Sequence, residues 1–381
     1  MSNKTIGNMC YLLNGYAFKS SRYVDNGIRI IRIANVQKGH IEDSTPAFYP
    51  LDSKGLENYM LKEGDLLMSL TGNVGRVAML SGEMLPAALN QRVACLRLKD
   101  NSIDKKFLFH YLNSSIFENK CIKESKGVAQ KNMSTEWLKR QEIPNFTYIK
   151  QKEISKVLDY VSDLIKAKMK QLQEYDQLIK SRFVEMFGYP ESNTKKYPMV
   201  NLSDIAQYFN GLTYSPENVS DEGIIVLRSS NIQNSKLDFK DLVRVRLNVK
   251  ESKIVRKNDI LMCSRNGSAK LVGKVALIDN LPEKMAFGAF MMIIRSEYYA
   301  YLMSYFQMDA FRRQIATGAT TTINQITSRM LDNVRLPLPE KSQVREFEFL
   351  VKQVDKLKFT VQQSLNETQQ LFDALMQEYF G

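Results

Sequence analysis

The chain repeats itself. Ile6-Gly-Asn-Met-Cys10, followed by Asn14-Gly15, returns 196 positions downstream as Leu202-Ser-Asp-Ile-Ala206, followed by Asn210-Gly211. Ile30-Ile-Arg-Ile-Ala-Asn-Val-Gln37 returns at the same displacement as Val226-Leu-Arg-Ser-Ser-Asn-Ile-Gln233. Gly64-Asp-Leu-Leu-Met-Ser69 is answered by Asn258-Asp-Ile-Leu-Met-Cys263, and Gly75-Arg-Val-Ala-Met79 by Gly273-Lys-Val-Ala-Leu277. Gln130-Lys-Asn-Met133 with Ile143-Pro144 is matched by Thr322-Ile-Asn-Gln325 with Leu336-Pro337. Phe183-Val-Glu-Met-Phe-Gly188 is matched by the closing Leu375-Met-Gln-Glu-Tyr-Phe-Gly381. All displacements fall between 192 and 198, so one unit of about 190 residues is used twice in 381. Both copies must then share one architecture.

Each copy has the same internal order. Residues 27–37 read as a strand and 65–80 as two strands about a glycine turn; 223–233 and 259–278 repeat them. The β-branched and apolar runs bounded by Gly, Asn and Asp carry that reading. A short helix follows at 105–123 and again at 298–316, then an extended segment where proline bars a helix. Each copy closes on a long helix, 151–187 and 343–380, that holds neither Gly nor Pro. In the first, Leu158, Val161, Ile165, Met169, Leu172, Tyr175, Ile179, Phe183 and Met186 recur every 3.5 residues on average, the coiled-coil period. In the second, Leu350, Val354, Leu357, Val361, Leu371 and Leu375 form a stripe, interrupted at Ser364 and Thr368 where polar residues can fix register. Helices of roughly 37 residues reach about 55 Å, and an apolar stripe of that length needs a partner. The repeat supplies one, which predicts an antiparallel pair.

The fold class expected is α+β: two tandem β-rich domains with two long helices in an antiparallel coiled coil, related by a pseudo-twofold repeat. The boundaries expected are 1–150 and 189–340 for the globular domains, 151–188 and 341–381 for the helices.

The net charge of +12 sits in the globular blocks. Residues 1–150 carry +7 and 189–340 carry +5, against +1 and −1 for the two helical segments. Basic surface points first to polyanions and so to nucleic acid. The longest apolar run, 286–294, is half of a membrane span, and no secretory signal opens the chain. Cys10, Cys95, Cys121 and Cys263 show no CxxC spacing, so neither a zinc site nor a disulfide framework is expected. A cytoplasmic protein without a membrane partner is the reading. With only His40 and His110, HExxH zinc chemistry is excluded and a histidine triad is disfavoured.

Catalytic motifs are scarce. Residues 267–275 fail as a phosphate-binding loop: five residues separate the glycines, Val275 replaces Ser/Thr, and a strand follows. That segment and 72–76 read better as glycine turns whose amides and basic residue can approach a DNA phosphate. Glu124-Ser-Lys126 and Glu251-Ser-Lys253 are half of a metal-dependent nuclease pattern that Asp104 and Asp241 could complete, yet they are not equivalent in the repeat. There is no GxGxxG fingerprint, no adenosylmethionine loop and no tetrad for methylating an exocyclic amine.

Taken in order, Asn14-Gly-Tyr-Ala-Phe18, Gly64 to Ser69 with Thr71-Gly-Asn-Val-Gly-Arg76, residues 127–133 before Ile143-Pro144, Ser181 to Gly188, and Leu336-Pro-Leu-Pro-Glu340 with Gln343 resemble the specificity (S) subunits of type I restriction–modification enzymes. The resemblance covers essentially the whole chain. It implies that 1–150 and 197–340 are target-recognition domains, each reading half of a split double-stranded DNA sequence across a gap set by the helices. It implies docking of two modification (M) subunits, with restriction (R) subunits in the full complex. Adenosylmethionine, ATP and magnesium would belong to those partners, leaving this chain without cofactor, metal or catalytic residue.

The copies diverge in their loops. Asp65 to Gly75 spans 10 positions where Asp259 to Gly273 spans 14, and Ala319-Thr-Thr-Thr322 stands where the first copy has Val128-Ala-Gln130. Different half-sites require such divergence, since side chains in the grooves read bases. The side-chain types that read base edges select Asn35, Gln37, Asn73, Arg76, Gln130, Lys131 and Asn132 in the first domain. In the second they select Asn231, Gln233, Arg265, Asn266, Lys270, Thr321, Thr322 and Asn324. Asn35 and Asn231 are equivalent positions and so candidates for a shared structural role. Two other readings stand beside this one: a stand-alone nuclease using the Glu-x-Lys segments, and a coiled-coil scaffold without a DNA role.

Overall fold

The structure, a computed structural model, describes residues 4–125, 132–316 and 325–381. The chain forms two compact units: Met1–Met169 with Gln363–Gly381, and Lys170–Gln362.

In the first unit, Ile6–Met9 (α1) leads into Cys10–Asn14 (β1), followed by Ile28–Ile31 (β2), Phe48–Tyr49 (β3), Leu66–Ser69 (β4), Val77–Met79 (β5), Ala87–Leu89 (β6) and Val93–Leu98 (β7). An antiparallel sheet has the order β1-β7-β4-β5, and a smaller one the order β3-β2-β6. Every side chain of β4 is buried, because the sheet has a core on each face. Leu66 and Met68 point to one that includes Phe107, Tyr111 and Phe117; Leu67 points to the other, with Cys95, Ala78 and Leu89. The period of two along the strand sorts them. Asn14-Gly15 lies where a Cβ would run into the backbone of Asn90, and Gly211 faces Gly288 in the same way, so this repeated glycine is a close-approach residue.

Lys105–Leu112 (α2), Ser115–Glu124 (α3), Thr135–Arg140 (α4) and Tyr148–Phe187 (α5) follow. The single helix expected at 105–123 is two. Ser114 caps the second by accepting from the N–H of Phe117 at 3.2 Å, and a Ser that binds the next turn's orphan amide starts a new helix. The strand expected at 27–37 likewise ends at Ile31, and a 3-10 turn, Ile33–Asn35, follows Arg32.

The second unit holds Met199–Asn201 (β8), Leu202–Ile205 (α6), Gln207–Asn210 (β9), Val219–Ser220 (β10), Ile224–Leu227 (β11), Ile232–Gln233 (β12) and Lys236–Leu237 (β13). Arg244–Val245 (β14), Ile260–Cys263 (β15), Val275–Leu277 (β16), Met285–Phe287 (β17) and Met291–Arg295 (β18) complete its sheets. Then come Tyr299–Tyr305 (α7), Asp309–Ala316 (α8), Ser328–Asp332 (α9), Arg335–Pro337 (β19) and Lys341–Phe380 (α10). Its main sheet, β16-β15-β18-β9, is the first unit's order read from the other edge. Ile260 and Met262 again face one core, Leu261 and Cys263 the other.

The long helices divide between the units. In the first, Ile154 and Leu158 of α5 share a core with Met376 and Phe380 of α10, while the Lys168 ammonium donates to Ser364 Oγ at 2.7 Å. Ascending numbers on one helix meet descending numbers on the other, so the two run antiparallel there. In the second, Lys358 pairs with Asp176, and Phe183 and Phe187 pack on Phe347 with ring centroids 5.7 and 5.3 Å apart. The direction is antiparallel here as well. No helix among the described residues is long and apolar enough to cross a membrane.

Candidate nucleic-acid interface

In each unit a 3-10 turn delivers the chain from the small sheet to a hairpin, and one Asn holds it. Asn35 Oδ1 accepts from the Arg32 N–H at 3.0 Å and its Nδ2 donates to Glu42 O at 2.8 Å. Asn231 accepts from the Arg228 N–H at 2.8 Å and donates to Asp238 O and Asp241 O, both at 2.9 Å. They are 3% and 0% exposed. A buried side chain whose donors and acceptors are taken by the main chain offers nothing to a base edge, so their equivalence in the repeat reflects the turn they lock.

That turn brings three segments of the first unit together. Arg76, at the end of the glycine turn between β4 and β5, donates to Gln37 Oε1. Within the turn, Ser69 Oγ donates to Asn73 O at 2.5 Å and accepts the Arg76 N–H at 3.1 Å. Asn132 pairs by backbone with Thr71, and Met133 N donates to Leu70 O at 2.9 Å. Gln37, Asn73, Arg76 and Asn132 thus converge on one patch; Asn73 and Asn132 are exposed. Gln130 and Lys131 lie outside the described residues.

The second unit assembles the corresponding segments with other side chains. Asn266 Nδ2 donates to Ser229 Oγ at 3.3 Å, and Gln233 Nε2 to Ser230 O at 3.0 Å. Arg265 pairs by backbone with Gln325, and its guanidinium lies 5.4 Å from the centroid of the exposed Phe290 ring. Lys270 is exposed at the tip of the longer turn. Lys274 Nζ donates to Ile232 O at 2.9 Å, tying the glycine turn to the hairpin. Thr321, Thr322 and Asn324 lie outside the described residues. Phe290 was missed in the sequence because it sits within the longest apolar run; its place between two apolar strands, one residue after a small-residue turn, is what exposes it.

Three carboxylates of the nuclease alternative have other partners. Asp104 caps α2, accepting from the Phe107 N–H at 2.9 Å and from Ser155 Oγ at 2.6 Å. Asp241 pairs with Arg228 and Glu251 with Lys284; Lys126 lies outside the described residues. Among the described residues no group of three or more His, Cys, Asp or Glu side chains could hold a metal ion. Burial pushes the Cys10 and Cys121 thiols up to about 12, which keeps both protonated near neutrality and unsuited to nucleophilic work.

Two stretches of the chain, 1–174 and 194–369, match the family model of the type I restriction modification DNA specificity domain. The chain belongs to that family. Among curated relatives of the specificity-domain family, the type I restriction enzyme StySPI specificity subunit of Salmonella potsdam is 31% identical over 175 residues, covering 42% of this chain and 38% of that one. The MjaVIII specificity subunit of Methanocaldococcus jannaschii is 32% identical over 171 residues, covering 43% and 40%. The chain thus spans about two-fifths of the length of these relatives. In fold it is similar to the type I restriction–modification S subunit from M. genitalium, with a TM-score of 0.59, 15% identity, and coverage of 100% of this chain and 96% of that one. A chain from a structure of type I R-M complex assembly and conformational transition gives a TM-score of 0.56 at 15% identity, covering 99% and 96%.

Proposed function

We propose that this chain is the DNA sequence-specificity subunit of a type I restriction–modification complex. It reads a split double-stranded target, one half through each globular domain, with domains at 1–150 and 189–340 and helical spacers at 151–188 and 341–381. The observation that carries the reading is divergence on a shared frame. Strand order, locked Asn turn and glycine turn recur in both units, and Gln37 and Gln233 are shared, while the side chains beside them are Asn73, Arg76 and Asn132 in one and Arg265 and Asn266 in the other. Two different half-sites require different side chains in these loops, since base identity is read by side chains in the grooves.

The long helices act as an antiparallel coiled coil with a pseudo-twofold relation between the readers, so the half-sites are met in opposite orientation. Their outward apolar side chains dock two modification subunits, and restriction subunits join the full complex. Adenosylmethionine, ATP and magnesium serve those partners; this chain contributes recognition and no catalysis, inside the cell. Methylome sequencing of cells expressing the cognate modification subunit, with and without this chain, tests the proposal. A split adenine-methylated motif that depends on this chain is the expected result. Intact, co-purifying proteins with no such motif would shift the role to a scaffold.

A further inference from the structure

At one equivalent position the two units carry opposite charge. In the first, Lys38 on the hairpin after the Asn35 turn pairs with Glu118 of α3 at 2.6 Å. The matching residues of the second unit are Asn234 and Arg312, the latter one residue past the buried Phe311 as Glu118 is one past the buried Phe117. There, hairpin, glycine turn and α8 border a cleft of about 350 Å³ whose lining includes Gln233, Asn234, Ser235, Lys274, Gln307 and Arg312 and no acidic residue. Arg312 gives one N–H to Val272 O, and Lys274 one to Ile232 O. A guanidinium has five donors and an ammonium three, so both cations retain donors. Ser235 Oγ donates to Gln307 Oε1 at 3.2 Å and Gln307 Nε2 gives one N–H to Met303 O at 2.9 Å, which leaves the second amide N–H of Gln307 at the rim beside Asn234. Two cations and amide N–H groups without a carboxylate make a seat for a tetrahedral oxyanion.

We propose that this cleft binds a phosphate group, supplied by the DNA backbone beside the half-site that the second unit reads. In the first unit the Lys38–Glu118 ion pair occupies the same place. The source of the phosphate rests on the DNA-reading proposal above; the cleft itself does not. Phosphate contacts of this kind position a reader without carrying sequence information.

The test uses the full-length chain and two probes: a mixed-sequence duplex titrated across a salt series, and inorganic phosphate in thermal unfolding. N234D/Q307E puts two carboxylates at the rim with no change of shape, and Asp tolerates the left-handed backbone of residue 234 (φ 50°). Losing one phosphate contact lowers the log–log salt slope by about 0.9, so the affinity drop between about 50 and 200 mM salt shrinks roughly 3- to 4-fold. Asn234→Lys steepens the slope instead, which keeps the test decisive if the double variant misfolds. Inorganic phosphate raises the unfolding temperature of the parent chain and not of N234D/Q307E. Unchanged duplex binding with that phosphate effect retained supports the cleft and makes a free phosphate compound its ligand. Identical behaviour of parent and variants toward both probes overturns the cleft. A parent chain that does not bind duplex at all overturns the DNA reading, and the phosphate arm then decides the cleft alone.

Discussion

Asp65 and Arg97 form a two-pronged ion pair across the main sheet of the first unit, Nε to Oδ1 at 2.8 Å and Nη2 to Oδ2 at 2.6 Å. Asp259 and Arg295 repeat it in the second unit, with both bonds at 2.7 Å. Each carboxylate also accepts a backbone N–H at the start of its own turn, from Lys62 or Arg256, at 2.8 Å. The carboxylates are buried while the guanidiniums are about a quarter exposed. The pair therefore fixes the strand that opens the glycine turn to the strand beside it.

Removing one partner strands the other. Asp259→Ala should cost about 3 kcal/mol, at the low end for a broken buried pair because Arg295 reaches water. Urea unfolding of the full chain measures this, and a loss under about 1 kcal/mol would mean that the pair is effectively solvated.

Asn231 is a test of turn against base contact. Asn231→Ala leaves two carbonyls and an amide of the 3-10 turn without their partner and should cost about 2–3 kcal/mol. The loss should appear in the free chain, in the absence of DNA. If stability were untouched while DNA binding fell, the side chain would be a reader after all.

Asp355 on α10 supplies a pH dependence. Burial is the leading cause that raises its carboxyl above the ordinary 3.8; Asp279 and Asp176 add to it, and Lys236 and Lys358 oppose it. With the folded value above the unfolded one, the fold favours the protonated acid. That contribution is complete below the unfolded value and is lost as pH rises through the folded one. Asp355→Asn should therefore unfold at a higher temperature than the parent at about pH 7, and the gap should narrow toward pH 4. A gap that widens on acidification would reverse the sign of the argument.

The proposed function makes the two units separable modules. Exchanging residues 197–340 for the reader of another specificity subunit should change one half of the methylated motif and leave the other half as it was. Methylome sequencing of the chimera reports both halves together, and a change in both would end the modular reading.

On α5, Val157, Tyr160 and Leu164 are exposed at spacings of three and four, the geometry of one helix face. Tyr160 is 67% exposed. Tyr160→Glu should leave the unfolding temperature within a degree or two, as surface changes do, and weaken co-purification with the modification subunit. Undiminished co-purification would remove this face from the proposed docking surface.

Ser364 illustrates how far the sequence could be followed. It breaks the apolar stripe of α10, which marked it as a register residue, but the partner that meets it, Lys168, is itself off the stripe of α5 and has no sequence mark. Arg312 is a similar case. Its charge reversal against Glu118 is visible once the two copies are aligned, yet only the packing of α8 beside the hairpin turns it into the wall of a cleft. The break at Ser114 was legible in principle from Asn113-Ser114-Ser115, a run of cap-forming residues; the apolar periodicity on either side concealed it.

The sequence by itself determined the doubled unit, the succession of β-rich, short-helix and long-helix segments within it, the long helices without Gly or Pro and the loops where the copies diverge, because period and residue type are local properties that the chain states directly. The tertiary structure decided which of those loop residues meet. Asn35 and Asn231 go inward, and Arg76 finds Gln37 across 39 positions, because a contact between distant segments depends on how sheets and helices pack, which no local pattern encodes.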